Sequence, residues 1–320
     1  MIPRATRKWG WIFRKGERRN GGVVASSRKS DGLTTMSFCQ GGPMIPRLLR
    51  LAAMITMLGL SGRAAAQTPC VTSPGCAMPT GRYLALAPSG WDGVTLLPVL
   101  VFFHGWRESA EYVVNDALLK AFAERHRILL IAPHGEGNTW SYPGAPGKHR
   151  DEFAFVADLA RDVKARFPVD PRRFVAAGFS QGASMVWNIA CRQPALFSAY
   201  GALAGGFWEP SPSACTGQGV DLVHIHGLND ATVPMGGRSL RGGIYRQSDI
   251  RRDWRVWLDE NSCAPDRAET KAAAGRICQV WTACAKPKSV SLCTHESGHD
   301  IHDPDLEVLW SFVEQRAASR

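Results

Sequence analysis

Short apolar runs alternate with helical stripes along most of this chain. Leu97–Phe103 is almost continuously apolar, as a strand covered on both faces of a parallel sheet must be. Ile128–Ala132 repeats the pattern and Pro133 closes it. Between them, Ala110 to about Arg125 reads as helix, and Asp151–Arg166 sets Phe155, Val156, Leu159 and Val163 at helical spacing ahead of Pro168 and Pro171. The run Phe174–Ala177 leads through Gly178 into a helix from about Gln181 to Arg192. Leu222–His226 and Val290–Cys293 give further strands, and Asp249–Glu260 and Asp305 to about Ala317 further helices. Strands alternating with helices predict an α/β fold, with a mostly parallel central sheet and helices on both faces. Reactive groups in such folds gather at the carboxyl ends of the strands.

The beginning of the chain departs from this rhythm. From Met44, two arginines precede the apolar run Leu51–Leu60, and Ala64-Ala65-Ala66 ends it. That is the layout of a secretory signal, too short to span a bilayer, and it predicts cleavage after Ala66. Residues 1–43 are basic and poor in apolar side chains, so they build no core. They read as an upstream extension ahead of the true start, or as a basic arm for an anionic surface, and the first is preferred because an arm would precede a cleavable signal. Residues 67–320 then form a single catalytic domain, with no linker, repeat or low-complexity tract inside it.

Composition changes with that division. The formal charge of +10 belongs to the leader, because residues 1–66 hold 12 of the 38 Lys and Arg and 2 of the 28 Asp and Glu. A balanced remainder gives no electrostatic case for binding nucleic acid. The leader also holds Cys39, which leaves eight cysteines: Cys70, Cys76, Cys191, Cys215, Cys263, Cys278, Cys284 and Cys293. An even set behind an export signal reads as disulfides, and no paired Cys-x-x-Cys spacing suggests zinc. Local pairing is expected for Cys70 with Cys76 and Cys191 with Cys215, with two bridges among the last four.

The chemistry centres on Gly178-Phe179-Ser180-Gln181-Gly182, a Gly-x-Ser-x-Gly match lying between an apolar strand and a helix. A serine hydroxyl needs a base to take its proton and an acid to orient that base. In this fold the order along the chain is Ser, then Asp or Glu, then His. Asp230, beyond the strand Leu222–His226, is the expected acid, with Asn229 and Asp221 as weaker rivals. His299 in Ser297-Gly298-His299-Asp300 is the expected base, with His295 and His302 as competitors; its ordinary pKa suits proton transfer in both directions. The oxyanion donors are expected to be the backbone N–H groups of Gln181 and of Trp106, in the loop His104-Gly105-Trp106. His104 suits bracing that loop or edging the substrate site. His224, His226 and His126 read as structural. Trp106, Trp140 and Trp208 are candidates to line the substrate site. No cofactor and no metal is called for.

These blocks resemble a family: the secreted esterases grouped around polyhydroxybutyrate depolymerases, feruloyl esterases and acetylxylan esterases of carbohydrate esterase family 1, in the α/β-hydrolase superfamily. The likeness rests on the early His104-Gly105, Gly178-Phe179-Ser180-Gln181-Gly182-Ala183, the block from His226-Gly227 through Asp230 to Val233-Pro234, and the late Gly298-His299. It implies the same three residues, Ser180, Asp230 and His299, and a small or oligomeric ester substrate. The sequence departs from the pattern around the histidine, where Glu296-Ser297 precede Gly298 and Asp300-Ile301 follow His299, and that bears on substrate choice. Two other functions are compatible with the residues alone: a serine peptidase of the same fold, and a secreted binding protein on a hydrolase scaffold.

Overall fold

The computed structural model describes Cys70 and residues 75–320; the expected signal segment 44–66 and the extension 1–43 lie outside the described residues. Six parallel strands form the middle of a ten-stranded sheet: β3 (Leu97–Phe103), β4 (Leu129–Pro133), β5 (Val169–Phe179), β6 (Ala199–Leu203), β7 (Leu222–Gly227) and β12 (Val290–His295). Antiparallel strands extend both edges, β1 (Cys76–Met78) and β2 (Gly81–Leu86) beyond β4, β11 (Arg276–Trp281) and β10 (Glu269–Ala273) beyond β12. The spatial order is β1-β2-β4-β3-β5-β6-β7-β12-β11-β10. A separate two-stranded ribbon, β8 (Arg238–Leu240) and β9 (Tyr245–Gln247), sits in the long excursion after β7.

The continuous apolar runs are explained by burial on both faces. Val99, Val101 and Phe103 of β3 join a core with α3 (Glu152–Arg166), α4 (Gln181–Arg192) and α5 (Ile250–Asn261). Leu100 and Phe102 point the other way, to α1 (Ala110–Asn115), α2 (Ala117–Arg125) and α6 (Asp303–Ala318). Strand side chains alternate between faces, so a strand sandwiched between helix layers turns both sets of side chains to a core. Pro98 is tolerated because the β3–β5 pairing shifts register between Leu97 and Val99, a position that asks for no ladder donor.

The helix expected from Ala110 to about Arg125 is two helices. Asp116 takes an extended conformation and its carboxylate accepts from the N–H groups of Leu118 and Leu119, so it caps a new helix in mid-stripe. Asp151 and Asp249 cap α3 and α5 in the same way. All eight cysteines are paired, Cys70–Cys76, Cys191–Cys215, Cys263–Cys284 and Cys278–Cys293, in agreement with the expected local pairs and the two bridges among the last four. Among the described residues, no helix is long and apolar enough to cross a membrane.

Candidate active site

Ser180 occupies the single residue between β5 and α4, with φ 55° and ψ −116°. A non-glycine residue there costs about 1–3 kcal/mol of backbone strain, and the surroundings enforce it. Its N–H donates to the Leu203 carbonyl at 2.8 Å, which pins the turn to β6. The flanking glycines are required by space: a Cβ on Gly178 would stand 2.6 Å from the Gly182 backbone, and one on Gly182 would overlap the Phe103 carbonyl. Those close approaches press the start of α4 against the end of β3, bringing the His104-Gly105-Trp106 loop alongside the serine.

The acid and base arrive from adjacent parallel strands. Asp230 follows β7 and His299 follows β12, and the two loops are stitched together: Leu228 N–H donates to the His295 carbonyl at 2.7 Å, and Asn229 N–H to the Ser297 carbonyl at 3.2 Å. Gly227 permits this, since a Cβ there would overlap the carbonyls of Ser297 and Gly298. His299 Nε2 lies 2.9 Å from Ser180 Oγ, and Nδ1 lies 2.6 Å from Asp230 Oδ2. The Phe179 ring packs on the imidazole, with centroids 4.7 Å apart. The three residues expected from the chain order are therefore brought into one hydrogen-bonded series.

Asp230 is almost fully buried. Burial opposes its ionisation, but the nearby His226 Nε2–H, the hydrogen bond with His299 and its charge, and the Val233 N–H together hold its carboxyl well below the usual range. Its Oδ1 accepts the N–H groups of Thr232 at 2.8 Å and Val233 at 2.7 Å, the Asx-type turn that aims Oδ2 at His299. The rivals are engaged elsewhere. Asp221, at the opposite end of β7, holds Arg316, Lys288 and Arg320. Asn229 donates its amide to the Glu296 carbonyl at 2.5 Å. His302 caps α6 through Asp305, and His295 receives the Ser297 N–H at 3.2 Å.

The oxyanion side carries the remaining expected residues. Gln181 opens α4, so its N–H belongs to the first turn that lacks intrahelical acceptors, and Thr139 Oγ1 donates to its side-chain carbonyl at 2.8 Å. Gly105 N–H is given to Glu108 Oε2 at 2.7 Å, and the next N–H along this loop is that of Trp106. Glu108 was not foreseen from sequence. Burial raises its carboxyl, with the Gly105 N–H opposing, and the charge of His299 is felt there.

His104 is fully buried. Its Nδ1 is 2.7 Å from the Gly105 carbonyl and its Nε2 accepts Gly135 N–H at 3.2 Å; burial pushes it down to about 4, so it is neutral under ordinary conditions. Trp140 is also fully buried and donates Nε1 to the His104 carbonyl at 2.8 Å. It supports the loop from beneath and offers no surface to a ligand. Trp208 is 8% exposed and meets Tyr142 edge-on. Of the three tryptophans, Trp106 keeps an accessible face, 37% exposed, with the Arg107 guanidinium 4.3 Å from its ring centre. Among the described residues, His295, His302 and Asp305 form a group with metal-ligand spacing. The Asp305 oxygens are already taken by Arg276 Nε at 2.7 Å and by the His302 N–H at 2.8 Å, an arrangement that favours an ion-pair network over a metal.

The fold and this geometry define a carboxylic ester hydrolase of the α/β-hydrolase class. Residues 82–230 match the family model described as esterase PHB depolymerase. Feruloyl esterase C of Emericella nidulans is 27% identical over 269 residues, 80% of this chain and 90% of that one. Poly(3-hydroxyalkanoate) depolymerase C of Paucimonas lemoignei is 26% identical over 136 residues, 39% of this chain and 33% of that one. Over these spans the chain is similar to polyhydroxybutyrate depolymerase and feruloyl esterase-like enzymes. The acetyl xylan esterase of Aspergillus awamori shares the fold, with a TM-score of 0.52 at 14% identity over 72% of this chain and 93% of that one.

Proposed function

We propose that this esterase works through an acyl-enzyme on Ser180 and that its substrates are small aromatic acyl esters of the feruloyl type. The observation that carries the mechanism is the series Ser180 Oγ, His299 Nε2, His299 Nδ1, Asp230 Oδ2, with separations of 2.9 and 2.6 Å. Ser180 attacks the ester carbonyl as its proton passes to His299 Nε2, and Asp230 stabilises the imidazolium. The negative oxygen of the tetrahedral intermediate is met by the N–H groups of Gln181 and Trp106, each such donor contributing about 3 kcal/mol. His299 returns the proton to the departing alkoxide. Water, activated by the same imidazole, then releases the acid.

The substrate reading rests on coverage. The feruloyl esterase likeness extends over 80% of the chain and 90% of the relative, whereas the depolymerase likeness spans 39% and 33%. Trp106, with its exposed face beside the oxyanion loop, supports contact with an aromatic acyl group. Four disulfides and the leader at 44–66 support export, with residues 67–320 as the mature domain. The test is fluorophosphonate labelling of oxidised residues 67–320 beside Ser180→Ala, followed by rates on feruloyl, acetyl, butyryl and hydroxybutyryl esters. Labelling confined to the serine form, with feruloyl esters fastest, is the expected result. Labelling with a hydroxybutyryl preference would transfer the substrate reading to the depolymerases, and no labelling of a folded protein would overturn the mechanism.

A further inference from the structure

Behind Asp230 lies a second, wholly buried pair of imidazoles that the ester chemistry does not call upon. His224 and His226 are both fully buried on β7, stacked with ring centres 5.2 Å apart. His226 Nε2 is 2.7 Å from the Val233 carbonyl and 3.4 Å from Asp230 Oδ2. His226 Nδ1 is 2.9 Å from His224 Nε2. A carbonyl oxygen can only accept, so His226 Nε2 carries the hydrogen. In the arrangement that adds no charge to the pair, His226 Nδ1 is then the acceptor and His224 Nε2 the donor. The His224 ring lies against Trp187 and Trp254, whose ring centres are 5.2 and 6.2 Å from its own, and its Nδ1 has no hydrogen-bond partner among the described residues. A bare nitrogen there is less costly than a buried, unpaired N–H, and burial pushes His224 far below its ordinary range.

We infer that His226 is a positioning residue for the esterase reaction: its Nε2–H is donated to the Val233 carbonyl and stands 3.4 Å from Asp230 Oδ2, so that its positive edge holds the carboxylate in the orientation that receives His299, while His224 fixes the His226 tautomer. This rests on the acyl-enzyme reading above. Asp230 Oδ2 is thereby the meeting point of two imidazoles, one mobile in charge and one fixed. Removing the fixed donor leaves Asp230 a stronger acceptor toward His299, which raises the affinity of His299 for a proton. The other groups facing this cluster are His295 on β12, which sits beside Asp305, His302 and Arg276, and Glu108, which faces His299.

The experiment compares wild type, His226→Phe, His226→Gln and Ser180→Ala on one soluble aryl ester across pH. His226→Phe is expected to lower kcat roughly 10- to 100-fold, the range typical of partners that orient a reactive group, with KM changed less than about threefold. Its acid limb should move upward by about half a pH unit, equivalent to about 0.7 kcal/mol. His226→Gln restores a donor near the Nε2 position and should recover most of both. An unmoved acid limb, or a loss matched by the fraction unfolded, overturns the proposal. Activity surviving Ser180→Ala would instead remove the reading it rests on. Where neither His226 variant folds, ¹⁵N imidazole shifts of the wild-type protein decide: a hydrogen on His226 Nε2 supports the inference, and one on Nδ1 with a bare Nε2 overturns it.

Discussion

Asn229 donates its side-chain amide to the Glu296 carbonyl at 2.5 Å, so the loop bearing the acid is tied through a side chain to the loop bearing the base. Together with two backbone bonds across the same gap, it sets the distance between Asp230 and His299. Asn229→Ala should lower kcat roughly 10-fold with little change in KM, because a misplacement of an ångström or less disturbs a near-attack geometry more than it disturbs binding. Steady-state kinetics on a soluble ester check this, and a change confined to KM would contradict it.

Ser180→Ala should abolish fluorophosphonate labelling and lower kcat by at least roughly 10³-fold, with thermal stability unchanged or raised, since alanine loses no buried packing there. Gly182→Ala acts differently. Its Cβ would overlap the Phe103 carbonyl, which is backbone and cannot yield, so the variant should lose activity together with a large part of its soluble yield. A soluble, active Gly182→Ala protein would mean that the elbow is looser than described.

Glu152 gives a pH test away from the chemistry. It is fully buried at the start of α3, paired with Arg150 Nε at 2.9 Å, and burial pushes its carboxyl up to about 7 against the pull of Arg150. Between its ordinary value and about 7 the folded protein binds more protons at this residue than the unfolded chain does. Stability therefore falls as pH rises through that window and is regained on acidification. The shift corresponds to about 3 kcal/mol. Glu152→Gln should flatten the decline in Tm between pH 5 and pH 8, and an unchanged slope would rule this residue out as its source.

The Cys278–Cys293 bridge joins β11 to β12, the strand whose end carries His299. It closes a segment with a separation of 15 residues, for which loop closure gives about 3 kcal/mol. Cys278→Ser paired with Cys293→Ser should lower Tm by several degrees and reduce kcat, because the base then hangs from a less anchored strand. Loss of stability with full activity would show that β12 is held by its parallel partner β7 alone.

The central strands β3 and β4 and the elbow were legible because each has a local cause: continuous apolar runs for the strands, and two glycines with no room for a side chain at 178 and 182. Chain order then led from Ser180 to Asp230 and His299. β6 escaped notice because Ala199–Leu203 is short and carries Gly201, where Leu309 of α6 packs against the strand. The edge strands β10 and β11 were hidden by exposed polar positions such as Thr270, Lys271 and Gln279. The break at Asp116 looked like a polar position in one long stripe. Thr139 depends on a contact with Gln181 far along the chain, and the contacts of Glu108 and of the His224–His226 pair, although local, are set by turn and strand geometry that no spacing announces. The same limit explains Trp140, whose aromatic character suggested a ligand surface although tertiary packing gives it to the underside of the His104 loop.

The β8–β9 ribbon meets the rest of the described protein chiefly along the bridge of Trp208 with Gln247 and the bond from Glu209 N–H to the Arg246 carbonyl. It leaves the main sheet after the acid and returns before α5, contributing nothing to the sheet's hydrogen bonding. Residues 241–244 are thus a replaceable turn: loops of other lengths and side chains can be exchanged there while the buried Gln247 and Ser248, the Asp230 turn and the α5 cap stay in place. Ile244, the most exposed large apolar side chain among the described residues at 75%, stands at its tip, the natural first position for such an exchange.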